Sequence, residues 1–251
     1  MPKLHLLGTG SAFSEPHRTT TMLAVEDDSE LILIDCGGDA VQRLLQVGVD
    51  LSKLSALIIT HEHADHVGGF PLLMEKLWLS GRREPLAVYG IPEAIEQARR
   101  LHDSFDLTGW YEHGYPGVDW REFELGEKVK VLDSAFRIYA SPGVHAVPCV
   151  GLRLEHLKSG KTITYSCDTE PAQSIADLAL GTDILIHEAT GEGPGHSSAQ
   201  SAALVAKNAH AKRLLLVHLP PEARLTEEDL AEARSMFANT EKGVEAQTYI
   251  L

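Results

Sequence analysis

Residues 60–69 read THEHADHVGG, with three histidines and an aspartate among residues 61–66, directly after the apolar run ALII. Imidazole nitrogen with some carboxylate oxygen is a donor set that zinc favours, and a catalytic zinc keeps one position open for water. From an extended segment, His61 and His63 can point the same way, while Asp65 and His66 face another direction from the turn beyond. One strand end can therefore feed two neighbouring ions. Gly68 and Gly69 are expected to let the backbone turn tightly away before a helix begins. A solvated polar loop has no need of so many specified positions, so metal binding is the reading that fits.

Four groups do not complete two ions, and the missing ligands should follow other apolar runs. His145 in SPGVHAVPCVG comes after FRIYA, Asp168 ends TITYSCD, and His218 ends LLLVH. The pattern alone does not bring these strand ends together. His196 precedes SSAQSAALVAKNAH, a helical pattern with serine at its N-cap, where backbone N–H groups point outward toward an anion. An imidazole there suits a phosphate oxygen or a leaving alkoxide. Glu188, ending DILIHEA, could hydrogen-bond His196 and hold it protonated, or could have a purely structural partner. His187 alternates to the opposite face of that strand, as core or surface.

The elements that must position these residues follow from periodicity. Strand-type runs cover 3–8, 19–26 and 31–35, a helical pattern covers 39–47, and a strand covers 56–60. Residues 70–81 read as a helix, LAVYG as a strand, and 92–105 as a helix with proline in its first turn. Residues 106–120 read as an aromatic, glycine-rich loop. Strands return at KVKVL, FRIYA, VGLRLEH and KTITYS, and the last third alternates helix 171–179, DILIHEA, helix 198–209, RLLLVH, helix 226–238 and AQTYIL. Strand meanders flanked by helices in each half predict an α/β fold of four layers: two mixed sheets covered by helices outside, an αβ/βα sandwich in one domain over 1–251.

Bulk composition narrows the partners. The 251 residues carry thirteen histidines and a net charge of −14, which argues against a surface built to attract phosphate backbones. Cys36, Cys149 and Cys167 are odd in number and lack C-x-x-C spacing, as expected of small buried thiols in a reducing compartment. No signal pattern opens the chain and no apolar run approaches a membrane span, so a cytoplasmic protein is expected.

THEHADHVGG, with LIDCGG upstream and the three later ligands, resembles the metallo-β-lactamase superfamily of dinuclear metallohydrolases. Within it, LGTGSAFSEPHRTT, LIDCGGDAVQRLL, GRREPLAVYGIP, YSCDT, HEAT and GHSSA resemble the ribonuclease Z-like branch in the same order, from residue 4 to about residue 220. The resemblance implies that His61, His63 and His145 hold one zinc, that Asp65, His66 and His218 hold a second, and that Asp168 bridges both beside a hydroxide. Manganese or iron would suit the same donors. The resemblance also implies that His196 stabilises or protonates the leaving group and that the protein is a homodimer; Asp65 could also orient that hydroxide or take up its proton. Ser198 stands where the pattern usually has threonine, and Cys167 where it usually has glycine. Asp35 would hydrogen-bond a ligand imidazole, or simply sit as an acid ahead of a helix.

Ribonuclease Z grips tRNA with a long arm between the third histidine ligand and the bridging aspartate. Here His145 and Asp168 stand 23 positions apart, with two strands and a turn between them. The expected function is therefore a metal-dependent phosphodiesterase acting on a small or single-stranded phosphodiester, RNA included, without a stable nucleic-acid grip. The alternatives are a tRNA 3′-processing endoribonuclease, a thioester or lactone hydrolase, and a non-catalytic metal-binding protein. GTGS at 8–11 reads as a turn, and His102, His113, His156 and His210 as surface. Arg82 and Arg83 read as a solvated pair that could instead meet a phosphate or a partner. Trp110, Tyr111, Tyr115 and Trp120 could face substrate, a second subunit, or the core.

Overall fold

A computed structural model describes residues 1–13 and 15–251; Ser14, within the quoted N-terminal motif, lies outside the described residues. The first half runs β1 (Lys3–Gly8), β2 (Met22–Glu26), β3 (Leu31–Ile34), α1 (Ala40–Gln46), β4 (Leu54–Ile59) and α2 (Ala64–Val67). It continues with α3 (Phe70–Leu79), β5 (Leu86–Gly90), α4 (Pro92–Asp103), α5 (Thr108–Glu112) and β6 (Val118–Glu122). The second half contains β7 (Val129–Asp133), β8 (Phe136–Pro142), β9 (Val150–His156), β10 (Thr162–Tyr165), α6 (Gln173–Leu178) and β11 (Ile184–Glu188). It closes with α7 (Ala199–Asn208), β12 (Leu214–Val217), α8 (Glu227–Met236), β13 (Thr240–Lys242) and β14 (Gln247–Ile250).

Two seven-stranded sheets result, in the orders β14-β1-β2-β3-β4-β5-β6 and β13-β12-β11-β10-β9-β8-β7. Both are mixed. β3 to β6 are parallel in the first, β10 to β13 are parallel in the second, and the remaining pairs are antiparallel. The predicted sandwich is present: α1 and α4 pack on the first sheet with α3 against both, and α6, α7 and α8 pack on the second.

Alternation along the strands explains the layering. Ile184, Ile186, Leu215 and Val217 join the apolar cluster shared by both sheets, whereas Leu185, Leu214 and Leu216 face the alanines of α7. A strand buried on both faces has no polar period, which is why RLLLVH reads as a continuous apolar run. Each such leucine contributes roughly 1.5–3 kcal/mol of burial. Ala199, Ala202, Ala203 and Ala206 let α7 lie close on that face.

Several expectations change. Residues 106–120 are not all loop: they hold α5 and most of β6. Neither β6 nor β13 was expected, and both are sheet edges. Natural edges are kept short and polar to discourage further pairing, and this removes the apolar signal that marks inner strands. His102 and His156 are buried, not on the surface; His102 Nε2 lies 3.2 Å from the Tyr115 hydroxyl, and His156 Nε2 lies 3.3 Å from Asp27. Such partners are remote in sequence. His113 and His210 are exposed, and all three cysteines are free and buried.

The glycines after the histidine cluster also act differently from expectation. Gly68 and Gly69 have ordinary backbone angles, with φ −59° and −84°. What they supply is room: a Cβ on Gly69 would lie 2.2 Å from the Gly38 carbonyl oxygen and 2.5 Å from that of Cys36. From the other side, a Cβ on Gly37 would lie 1.7 Å from the Asp65 carbonyl oxygen. The CGG after β3 and the HVGG after β4 are thus two backbones in contact. Cys36 N–H donates to the His66 carbonyl at 2.7 Å, and Gly69 N–H to the Cys36 carbonyl at 2.9 Å.

Candidate metal centre

The parallel strands fix where the reactive side chains go. β3 and β4 end together in the first sheet, as do β10, β11 and β12 in the second. Loops at the carboxyl ends of parallel strands are the usual place for a site in such sheets. Asp35 follows β3, His61 follows β4, Asp168 follows β10, Glu188 ends β11 and His218 follows β12. Asp35, Cys167 and His218 each adopt a left-handed backbone, with φ 60°, 57° and 49°. For non-glycine residues this costs about 1–2 kcal/mol each, and such outliers cluster at functional sites.

The sequence-predicted residues converge. His61 Nε2 and His145 Nε2 lie 3.1 and 3.2 Å from His63 Nδ1. His218 Nε2 lies 3.3 Å from both Asp65 Oδ2 and Asp168 Oδ2. His66 Nε2 stands 3.5 Å from Asp65 and 3.6 Å from Asp168, and His145 Nε2 stands 3.9 Å from Asp168. His61, His66, Asp168 and His218 form a buried floor, with His63, His145 and Asp65 half-buried above it.

Electrostatics follow from this crowding. Burial pushes the His61 pKa well below its ordinary value. Burial would also lower that of His66, but Asp168 and Asp35 outweigh it and hold it well above. Burial alone would raise Asp168, yet His218 and His66 hold it well below the usual carboxylate range.

Whether a cation suits these donors can be tested on the nitrogens that face away. His66 Nδ1 donates to Asp35 at 2.8 Å, and His145 Nδ1 donates to the Gly195 carbonyl at 2.8 Å. His218 Nδ1 meets Thr190 Oγ1 at 2.6 Å, and His61 Nδ1 meets Thr60 Oγ1 at 3.2 Å. Outer partners of this kind fix the tautomer and turn the lone pair inward. His66 Nε2 and Asp168 Oδ1 are buried without a hydrogen-bond partner among the described residues. Buried polar atoms are rarely left so, and these two fit a cation. Thr60 explains Asp35 further, because its N–H donates to the same carboxylate at 2.8 Å. The acid that caps α1 is Asp39, so Asp35 serves the cluster and not the helix.

His196 lies over the open side. Its ring is stacked on His218, with centroids 5.7 Å apart at 13°, and meets His145 edge-on at 5.0 Å. Its Nδ1 donates to Glu188 Oε1 at 3.0 Å. That hydrogen bond, against the effect of partial burial, raises the His196 pKa. Glu188 is fully buried and accepts also from the N–H groups of Ser197 (2.9 Å), Thr190 (2.8 Å) and Thr169 (3.3 Å). Ser198 caps α7 as expected, accepting from Ser201 N–H at 3.1 Å. His187 is core, its Nδ1 donating to the Glu188 carbonyl at 2.8 Å.

We expect Glu188→Gln to keep the fold and lower kcat roughly 10–100-fold with KM little changed, as loss of an outer partner does. The decrease should be larger for alkyl than for p-nitrophenyl leaving groups, since p-nitrophenolate departs without a proton. Equal losses for both would assign Glu188 a purely structural part.

Some residues lie elsewhere. Trp110 stacks on Trp78 at 5.3 Å and Tyr115 is buried, so this part of the aromatic segment serves packing. Arg82 is not a solvated charge: its guanidinium donates to the carbonyls of Leu54, Glu84 and Pro85 at 2.7–3.0 Å. Sequence reasoning missed Thr190 as the partner of His218, although HEAT carried the signal, and missed Thr60 and the Gly195 carbonyl.

A family model described as "Beta-lactamase superfamily domain" matches residues 30–219. The chain belongs to the beta-lactamase superfamily. Ribonuclease Z of Methanothermobacter thermautotrophicus is 28% identical, over 96% of this chain and 94% of its own length. Ribonuclease BN of Proteus mirabilis is 30% identical over 99% and 100%. The first of these aligns over 295 positions against the 251 residues here, so that superfamily relative has segments this chain lacks. Among solved structures, the metallo-beta-lactamase fold protein YhfI from Bacillus subtilis superposes with a TM-score of 0.82 at 23% identity, covering 99% of this chain and 98% of that one. The short form of human tRNase Z superposes at 0.77 with 24% identity, over 99% and 98%. Both share the superfamily's sandwich. The relatives are named ribonucleases, and the chain is a hydrolytic enzyme of the same superfamily. No helix among the described residues is long and apolar enough to cross a membrane.

Proposed function

We propose that the chain is a dinuclear metal-dependent phosphodiesterase, one domain over residues 1–251, acting on a small or single-stranded phosphodiester. The observation that carries this reading is the Glu188–His196 pair, placed over the cluster at the start of α7. His61, His63 and His145 would hold one divalent ion, Asp65, His66 and His218 the other, and Asp168 would touch both, with zinc as the first choice. Bound there, two ions would lower the pKa of a water and offset the charge that builds on phosphoryl oxygens. Asp65 would take up a proton on the open side. A protonated His196 would donate from Nε2 to the departing oxygen, with Glu188 holding Nδ1. An acyl carbon has less use for that donor beside the N-terminus of a helix.

Three features favour a small substrate. Between His145 and Asp168 the chain has only β9, β10 and the turn joining them. At the N-terminal end of α7 opens a groove of about 480 Å³, whose charged lining is Glu192, Asp229 and Glu232 against Arg224. With a net charge of −14, this surface does not suit a long polyanion. A second reading, ribonuclease action on a folded RNA, is favoured by the names of the relatives. A homodimer belongs to the same proposal, and light scattering on the purified chain would test it.

The deciding experiment is hydrolysis of bis(p-nitrophenyl) phosphate and a methyl ester analogue by zinc- or manganese-loaded protein, with a thioester and a lactone in parallel. Asp65→Ala should abolish diester cleavage. His196→Ala should lower it, most with the methyl leaving group, by roughly the 10²–10⁴-fold typical of general acid catalysis. Turnover of thioester or lactone alone would overturn the proposal.

A further inference from the structure

Two histidines of the site depend on one short segment. Gly195 precedes His196, and its carbonyl accepts from His145 Nδ1 at 2.8 Å. A Cβ on Gly195 would lie 2.8 Å from that same nitrogen, and the residue has φ 81°. Only glycine lets the backbone come this close to the imidazole. The donor atoms of His145, Asp168 and His196 lie within 4.8 Å of one another. His196 is therefore near enough to fall onto a cation, and a proton donor must be held off it.

The segment itself has little packing to hold it there. Residues 189–197 read ATGEGPGHS; Glu192 and Pro194 are exposed, and a Cβ on Gly191 or Gly193 would meet nothing within 4 Å. Segments so thinly packed open easily. Glu188 pins the two ends through the N–H groups of Thr190 and Ser197. The bonds from Gly191 to Ser197 and from His196 to Gly193 stay inside the segment. Between those ends, Glu170 Oε1 accepts from Gly195 N–H at 2.9 Å. Glu170 is itself fixed: its N–H donates to the Val144 carbonyl at 2.8 Å, and Val144 N–H donates to Thr169 Oγ1 at 2.9 Å. Its backbone thus grips the residue before His145, while its carboxylate grips the residue before His196. An ionised acceptor makes the stronger kind of hydrogen bond.

We propose that Glu170 is a positioning residue that acts through Gly195, keeping the His145 ring turned to the cluster and His196 beside it, free to give its proton. One side chain then sets both a metal ligand and the proton donor. This deepens the proposed phosphodiesterase reading and rests on it, with His145 as ligand and His196 as donor.

Wild type, Glu170→Ala, Glu170→Gln, His196→Ala and the variant carrying both alanines would be compared as full chains. The readouts are the zinc dissociation constant, the melting temperature, and kcat and KM for diesters with p-nitrophenyl and methyl leaving groups. We expect Glu170→Ala to lower kcat for the methyl leaving group roughly 10–100-fold, and less for p-nitrophenyl, with KM little changed. Zinc binding should weaken by a similar factor as His145 loses its outer acceptor's anchor, whereas His196→Ala should leave zinc binding unaltered. Glu170→Gln keeps an acceptor at the same place and should restore most of both. Once His196 is alanine, Glu170→Ala should bring no further selective loss with the methyl group, as residues acting in series are not additive. A lower melting temperature with equal losses for both leaving groups, or with unchanged zinc binding, would overturn the proposal and leave Glu170 a brace for the fold. So would a glutamine variant as poor as alanine, or a selective loss that persists without His196. If His196→Ala itself shows no selective loss, the donor reading falls and this proposal falls with it.

Discussion

Asp168→Asn is expected, on the proposed dinuclear reading, to eliminate metal-dependent diester hydrolysis and to lower bound metal from two ions per chain to one or none. The carboxylate lies within 3.3–3.9 Å of His218, His66 and His145, so it reaches both halves of the cluster. Asparagine keeps the shape and removes the charge, so the proposed cations would be held with one carboxylate fewer among the imidazoles. The loss should exceed the roughly 10²–10³-fold that removal of one oxyanion-hole donor costs, because charge stabilisation fails for both ions at once. Metal analysis after dialysis, beside kcat/KM for bis(p-nitrophenyl) phosphate, provides the check. Two retained ions with near-normal turnover would mean that Asp168 does not join the two positions.

Gly37→Ala should unfold the protein readily although position 37 carries no reactive group. Its new Cβ would stand 1.7 Å from the Asp65 carbonyl oxygen and 2.1 Å from the carbonyl carbon, both backbone atoms that no rotamer change can move aside. Either β3's exit or α2 must shift, and α2 carries Asp65 and His66. We expect a cost above roughly 4 kcal/mol, in the range reserved for severe steric or polar faults. At about 2–4 °C per kcal/mol for a chain of this size, the melting temperature should fall by roughly 8–16 °C. Gly48→Ala is the control, since Gly48 has φ 75° but nothing within 4 Å of a Cβ. It should cost only about 1–2 kcal/mol, the left-handed penalty alone. If the two variants melt together, backbone contact between the two glycine pairs is not what holds the motif.

The inner strands and the positions of the candidate residues were legible because burial on both faces writes long apolar runs, and each candidate stands where such a run stops. FRIYA, TITYS and LLLV point to His145, Asp168 and His218 by that rule. The edges β6 and β13 were not legible, because VDWRE is largely polar and TEK is only three residues long, so neither forms an apolar run. Contacts across sequence were equally silent. Nothing local ties His156 to Asp27, 129 positions away, or His102 to Tyr115, and both imidazoles turned from expected surface to core. Glu188 fell between: its strand end was visible, but its four hydrogen-bond donors come from two loops, Thr169 after β10 and Thr190, His196 and Ser197 after β11, that only the fold brings together.

The cluster draws His61 to His66 from one sheet and Asp168 and His218 from the other, spanning more than half of the chain. Groups so far apart in sequence meet only when both sheets have formed and docked. Ions held there would arrive after the rate-limiting step of folding, and would have to leave, or be carried, before the sheets can separate. Their contribution then appears in the lifetime of the native state and not in the speed of reaching it. A chelator added during refolding should leave the refolding time almost unaltered, while the same chelator added to native protein shortens its half-life in denaturant.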